Sequence, residues 1–312
     1  MDFKKRCAVF SCLGLGDGLI ALVLSNNLHL NGFEVTTFHP SLNCLQKWFP
    51  HLPLRPFPAQ EELGSVLKEF DRFFLIYEKS EWMQAVLDYT QKNHPEKTTI
   101  LNPIATPNRD YPYWEQGRFD GNRPFVENLY VFCKNVMKFM VVTKSNGIVS
   151  PDHVKPRRFE KRIILHPASS RSGKNWKREK YFSLASKLQS QGFSLSFILT
   201  QEERKGWDLE NYETPLFSKQ SELAAYICES GYMIGNDSGI GHLASCMGLP
   251  TITICRNEQS AKFWRPAWAP GRIITPSRWV PNLKGLRLRD RYWKDWISVR
   301  KVLHHFHDIA KT

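Results

Sequence analysis

The chain has 312 residues, 42% hydrophobic and 13% aromatic, enough to bury a substantial core in one or two domains. Its formal net charge of +13 attracts nucleic acid, anionic membrane or phosphorylated small molecules, and charge alone does not choose among them. No zinc-finger spacing, RNA-recognition signature or internal repeat supports nucleic acid, and no apolar run reaches the ~18 residues of a membrane span.

The N-terminus places basic residues before "CAVFSC" (7–12), which imitates a secretion signal. Glycines and Asp17 break the apolar run at once, so a first strand is expected instead. Glycines follow in "LGLGDG" (13–18), and "GLIALVLSNNLHL" reads as a largely buried helix. "FEVTTF" (33–38), "RFFLIY" (72–77) and "KTTILN" (97–102) are expected strands, with a helix over "EWMQAVLDYTQ" (81–91). The stretch 103–124, rich in proline and glycine, predicts a long loop of the kind that often carries function. A helix over roughly 125–140 follows, and the polar, basic 145–162 is the expected linker.

Alternation then restarts. "RIILHP" (162–167), "FSLSFILT" (193–200), "YMIGND" (232–237) and "LPTITIC" (249–255) are expected strands, with helices over 181–191 and 221–230. Strands alternating with helices predict parallel sheets covered on both faces. The architecture expected is α/β, two Rossmann-like domains over 1–150 and 151–290, with a C-terminal helix in 291–312 packing back on them. That helix places Trp296, Val299, Leu303 and Phe306 at helical spacing. Seven cysteines without a C-x-x-C pair suggest reduced thiols in a cytosol.

In open α/β sheets ligands lie beyond the carboxyl ends of strands, and three polar groups stand there. In "LGLGDG" the glycines admit a close ligand, and Asp17 is either a helix cap or a functional carboxylate. The dinucleotide pattern G-x-G-x-x-G is incomplete, because position 19 is Leu, and "TTFHP" lacks the acidic residue that would hold a ribose. In "HPASSRSGKNW" (166–176), Arg171 and Lys174 make an anion site or an ordinary solvated loop; no P-loop is present. In "GNDSGIGHLASCMGLP", Ser238 and Gly239 offer backbone N–H groups where a helix begins, a place that favours a pyrophosphate. Asp237 caps that helix or accepts sugar hydroxyls. His242, about one turn inside, either faces the same ligand or is a satisfied structural histidine. "HHFH" (304–307) lies on a helix beside core residues, so no metal site is expected.

These groups, in this order, resemble glycosyltransferase family 9, the ADP-heptose:lipopolysaccharide heptosyltransferases. "GLGDGLIALVLS" is similar to that family's N-terminal G-D segment. The stretch from "ILHPASS" through "ILTQEE" is similar to its strand, K-x-W, helix, strand and acidic series. "IGNDSGIGHLASCMGLPTITI" matches its D-[ST]-G-x-x-H-L-x-x-x-x-G-x-P signature. Val23, Lys177 and "CRNEQ" (255–259) depart from the family pattern.

The resemblance implies a GT-B fold with two domains facing a cleft, and inverting transfer without a metal or other cofactor. It implies Asp17 as general base, Lys174 at the donor phosphates, and Asp237, Ser238, Gly239 and His242 in the donor-binding turn. Glu202 or Glu203 would hold the adenosine ribose. The donor expected is ADP-heptose or a related nucleotide sugar, and the acceptor an anionic lipid-linked glycan such as a lipopolysaccharide core. Arg109, Arg118 and Arg123 of the long loop are expected at the acceptor. A cytoplasmic monomer, peripheral at the inner face of the cytoplasmic membrane and without nucleic acid, completes the expectation. The alternatives are a GT-B transferase with another donor, or a non-catalytic protein that binds sugar nucleotides.

Overall fold

The computed structural model describes residues 5–103, 119–169, 171–282 and 287–311. The chain divides into two compact units, Met1–Val149 and Ser150–Thr312.

Unit 1 is built on β1 (Arg6–Phe10), β2 (Glu34–Phe38), β3 (Leu54–Arg55), β4 (Arg72–Ile76) and β5 (Thr98–Leu101). The strand order is β3-β2-β1-β4-β5 and every pairing is parallel. Parallel strands need covered faces, which is why Ala8, Val9 and Phe10, like Phe73 to Ile76, are buried without alternation. Among the described residues, α-helices accompany the sheet: α1 (Leu15–Leu30), α2 (Leu63–Leu67), α3 (Glu81–Asn93) and α4 (Phe125–Val131). α3 starts where Ser80 caps it, its hydroxyl accepting from the Met83 N–H. Instead of a helix running to 140, α4 passes into a π-helical turn over Phe132–Val136 and stops.

α1 is apolar nearly all round, so it has to be covered on every side. The sheet strands β1 and β2 and helix α4 cover part of it, and residues 140–147, the end of which overlaps the expected linker, cover more. Asn27 Nδ2 donates to the Thr143 carbonyl at 2.8 Å, and its Oδ1 accepts the Thr143 N–H at 2.8 Å. Asn26 holds the Ser145 carbonyl at 3.0 Å, and Asn31 holds that of Val141 at 2.7 Å. A segment whose backbone polar groups are met by side chains of α1, two of them buried, is part of the domain and does not behave as a tether.

Unit 2 carries β6 (Phe159–His166), β7 (Ser194–Phe197), β8 (Ser230–Asn236), β9 (Thr251–Ile254) and β10 (Gly271–Ile274). Their order is β10-β9-β8-β6-β7, again all parallel. Around them lie α5 (Arg178–Gln189), α6 (Gln220–Cys228), α7 (Gly239–Cys246) and α8 (Glu258–Trp264), then α9 (Leu288–Arg291), α10 (Trp293–Trp296) and α11 (Val299–Ala310). α11 belongs to this unit: it packs on α5, β9 and β10, burying Val302, Phe306 and Ile309. The expected stripe is corrected at one end, since Trp296 precedes α11 and is 48% exposed. Phe306 stacks edge-on against Phe193 and Tyr232, so its loss would cost about 3–5 kcal/mol.

Strand order locates the ligand crevices. A crevice opens where connections leave two neighbouring strands in opposite directions. In unit 1 that point lies between β1 and β4; in unit 2 it lies between β6 and β8.

Candidate active site

The unit 2 crevice is lined by the two segments that the sequence singled out. β6 ends at His166 and hands on to the loop that carries Lys174; β8 ends at Asn236, directly before Asp237. Asn236 joins the two. Its Oδ1 accepts from the Trp176 backbone N–H at 3.0 Å and from the Tyr181 hydroxyl at 3.1 Å, while its Nδ2 donates to the Pro167 carbonyl. Trp176 is buried and anchored further by its indole N–H on the Ile297 carbonyl. The lysine loop is thus fixed from both ends, and Lys174 Nζ comes within 3.6 Å of Asp237 Oδ2. Gly235 is small for a reason of packing: a Cβ there would lie 2.7 Å from the His166 carbonyl oxygen.

Ser238 is the N-cap of α7, yet its hydroxyl makes no capping hydrogen bond. Ser238 Oγ is buried without a partner, and so is Nδ1 of the buried His242. Burial holds the His242 pKa below 6.5, against the opposing pull of the Asp237 charge and a hydrogen bond to the Trp264 carbonyl. Buried polar atoms without partners cost about 1–3 kcal/mol each, and such atoms mark places where a bound group completes the network. Ser238 Oγ, the N–H groups that open α7 and the Lys174 ammonium suit an anion with several acceptor oxygens, whereas a neutral His242 that donates to the Trp264 carbonyl presents Nδ1 as an acceptor, suited to a hydroxyl. Asp237 does not cap α7; it faces Lys174. His166, buried and likewise lowered in pKa by burial, faces the Ile198 carbonyl through Nδ1 at 2.7 Å.

The two glutamates after β7 differ. Glu203 Oε2 accepts the Thr200 N–H at 2.9 Å while the Glu203 N–H reaches Thr200 Oγ1 at 3.2 Å, a reciprocal cap. Its charge is felt at His166. Glu202 turns outward, its side chain 78% exposed and paired with Lys205.

In unit 1, Asp17 sits in the first turn of α1, where the N-cap is Gly14. The plain N-cap reading therefore does not hold. The carboxylate lies over the Gly14 backbone so closely that a Cβ on Gly14 would be 2.5 Å from Asp17 Oδ2. His39 fixes this turn: Nδ1 accepts the Ser41 and Leu42 N–H groups at 3.0 and 3.1 Å, so Nε2 carries the proton and donates to the Gly14 carbonyl at 3.1 Å. Burial lowers the His39 pKa, which keeps that arrangement neutral. Glu78, after β4, accepts the Leu13 N–H at 3.1 Å, and burial raises its pKa. His39, Glu78 and Asn236 are site-positioning residues that the sequence reading missed. The only local signal for Asn236 was an asparagine ending a buried strand.

Of the three loop arginines, Arg123 lies just before α4, its carbonyl held by Asn128 Nδ2 at 3.0 Å. Arg109 and Arg118 lie outside the described residues. Among the described residues no cluster of three or more His, Cys, Asp or Glu is placed to hold a metal, and no helix is long and apolar enough to cross a membrane.

Two doubly wound units, one ending in a basic turn suited to a diphosphate, have the architecture of the GT-B glycosyltransferases. Residues 148–284 match the model of glycosyltransferase family 9 (heptosyltransferase), so the likeness read from the motifs is confirmed over most of unit 2. Solved structures of similar fold cover the whole chain. The ADP-heptose lipopolysaccharide heptosyltransferase II of E. coli is similar at TM-score 0.67 and 15% identity, with 98% of each chain covered. A family 9 glycosyltransferase from Veillonella parvula gives TM-score 0.70 and 17% identity, covering 99% of this chain and 98% of that one. The iron-containing dodecameric glycosyltransferase TibC of enterotoxigenic E. coli gives TM-score 0.57 and 12% identity, covering 99% and 76%. No curated protein matches in sequence. In sequence over residues 148–284 and in fold over the whole chain, this protein is thus similar to the heptosyltransferases.

Proposed function

We propose that this protein is an inverting, metal-independent glycosyltransferase that moves a heptose or related sugar from an ADP-sugar to a lipopolysaccharide core or similar lipid-linked glycan. The observation that carries the proposal is the pair of buried polar atoms without partners, Ser238 Oγ and His242 Nδ1, at the start of α7. A diphosphate would accept from Ser238 Oγ, a hydroxyl of the donor sugar would donate to His242 Nδ1, and Lys174 would supply a countercharge. The relatives support the choice of donor: one is named for ADP-heptose, and TibC has been solved with ADP-D-β-D-heptose.

Transfer would run as one displacement. The acceptor hydroxyl oxygen attacks the anomeric carbon on the face opposite the diphosphate, and its proton passes to the Asp17 carboxylate. The bond from carbon to phosphate oxygen breaks, and its electron pair leaves with the diphosphate. Lys174 and the α7 N–H groups stabilise the charge that develops there. One displacement inverts the carbon. Metal independence is proposed because fixed positive groups already occupy that position. TibC, named as iron-containing and dodecameric, lends no support to metal independence or to a monomer.

On the same reading Glu203, in place of Glu202, holds the ribose, because the Thr200 N–H fixes its carboxylate while Glu202 turns to solvent. Arg109, Arg118 and Arg123 meet the anionic acceptor, and the basic chain works at the inner face of the cytoplasmic membrane. Co-sedimentation with vesicles tests the last point: anionic vesicles should bind at low salt, and equal binding to neutral ones contradicts it. Calorimetric titration with ADP, UDP and GDP tests the donor. ADP is expected to bind most tightly; a clear preference for UDP would replace the donor.

A further inference from the structure

A second feature of unit 2 lies beyond the residues assigned to the donor. A cavity of about 360 Å³ opens at the carboxyl ends of β9 and β10, on the same edge of the sheet as Lys174 and Asp237, since all five strands are parallel. Its walls come from residues 256–259 after β9, Thr275, Pro276 and Arg278 after β10, and Asn282 with the α9 residues Arg289 and Asp290. These pieces are tied together. Arg278 donates to both Glu258 oxygens at 2.7 and 2.6 Å, and Asn282 and Asp290 exchange hydrogen bonds of 3.1 and 3.2 Å. The walls therefore exist before any ligand arrives.

The chemistry of the lining is specific. Three guanidinium groups, Arg256, Arg278 and Arg289, face two carboxylates, Glu258 and Asp290, leaving one positive charge in excess. Both carboxylates have a partner within the cavity, Glu258 on Arg278 and Asp290 at 4.0 Å from Arg256. The rest of the lining is mostly amide and hydroxyl, with little to receive a nucleobase or an acyl chain. Trp279, next in the chain to Arg278, is 94% exposed. Trp279 does not itself line the cavity, but an exposed indole one residue from a wall of planar polar groups is within reach of a sugar, which offers an apolar ring face and a rim of hydroxyls.

Strand order assigns the ligand. On the transferase reading, the nucleoside lies towards β7, where Glu203 stands, and the diphosphate lies between β6 and β8. The cavity lies on the opposite side, one and two strands beyond β8. At about 4.8 Å per strand, that offset is roughly 5–10 Å, a reach of the order of a sugar ring. We infer that the Arg256–Arg278–Arg289 cavity binds an acidic sugar unit of the acceptor glycan, a ring bearing one carboxylate or phosphate, with Trp279 over its apolar face. This rests on the transferase reading.

The test uses the whole protein with three monosaccharide probes, glucuronic acid, glucose 6-phosphate and glucose, followed by saturation-transfer NMR with ADP present. At least one acidic sugar should bind, with glucose about 10-fold weaker or more, as expected for one lost charge-assisted contact. The two acidic probes show whether carboxylate or phosphate is preferred. Arg289→Ala and Arg256→Ala should each abolish the preference for the acid, and Trp279→Ala should weaken all sugars alike. Arg289→Lys, which retains the charge, should keep part of the preference, so a fold defect in an alanine variant does not decide the result. Equal binding of glucose and the acidic sugars, binding of none of the three, or a preference that survives both alanine variants overturns the inference. ADP titration separates the two levels. If ADP fails to bind, the transferase reading falls; if ADP binds and the acidic sugars do not, only the cavity assignment falls.

Discussion

Gly14→Ala separates catalysis from stability at a single methyl group. Gly14 has φ −70° and ψ 138°, a conformation open to any residue, so alanine introduces no backbone strain. Losing a glycine from the unfolded ensemble favours the fold by about 0.4–1 kcal/mol. The added Cβ would nevertheless sit 2.5 Å from Asp17 Oδ2, against an ordinary contact that begins at 3.4 Å, so the carboxylate must retreat by about 0.9 Å. A displacement near 1 Å at a reacting group costs on the order of 10²-fold in rate. We expect kcat for ADP release from ADP-heptose to fall by about 10²-fold, with ADP affinity and melting temperature unchanged or the latter slightly raised. In an Asp17→Asn background the same substitution should cost almost nothing further, because both act through one carboxylate. A Gly14→Ala enzyme with wild-type kcat, or an undiminished penalty in the double variant, would refute the placement of the base.

Lys174→Ala should weaken ADP binding by roughly 10- to 200-fold, the equivalent of about 1.5–3 kcal/mol for a charge-assisted contact. The side chains of Lys174 and Asp237 are 49% and 28% exposed, so solvent screening favours the lower end, and an ADP titration showing no loss contradicts the role. Glu203→Ala should raise the ADP dissociation constant by about 10-fold while Glu202→Ala leaves it unaltered; the reverse order would move the ribose contact to Glu202. Stability should fall with acid in a defined window. Burial depresses the folded pKa of His39, His166 and His242 below 6.5, so the unfolded chain takes up protons first as pH drops. Their contribution is whole above 6.5 and is lost as pH falls from there through the folded values, so the melting temperature should decline as pH falls from about 6.5 to 5.5. A flat or rising melting temperature across that range contradicts the assignment.

The strands and the donor turn were legible because their signals are local. β1 and β4 are short apolar runs, β6 carries one in Ile163–Leu165, and Asp237, Ser238, Gly239 and His242 lie within six residues of one another. What holds them in place was not legible, because it is long-range. Asn236 reaches Trp176 across 60 positions, His39 reaches Gly14 across 25, and Asn27 reaches Thr143 across 116. Asparagine and histidine carry no periodic signature, so a polar stretch such as 140–147 reads as tether until its partners on α1 are known. β3 and β10 were missed for another reason. β3 is two residues long, and β10 places Arg272 in a four-residue edge strand, too short for any alternation to show.

Release of ADP from ADP-heptose in the presence of a lipid-linked core glycan, compared between the wild type and Asp17→Asn, is the most direct test of the proposed transferase. The wild type should release ADP only with acceptor present. Asp17→Asn should turn over about 10²- to 10⁴-fold more slowly while binding ADP normally. Wild-type turnover by Asp17→Asn, or a wild type that releases no ADP but consumes a UDP- or GDP-sugar instead, would contradict it.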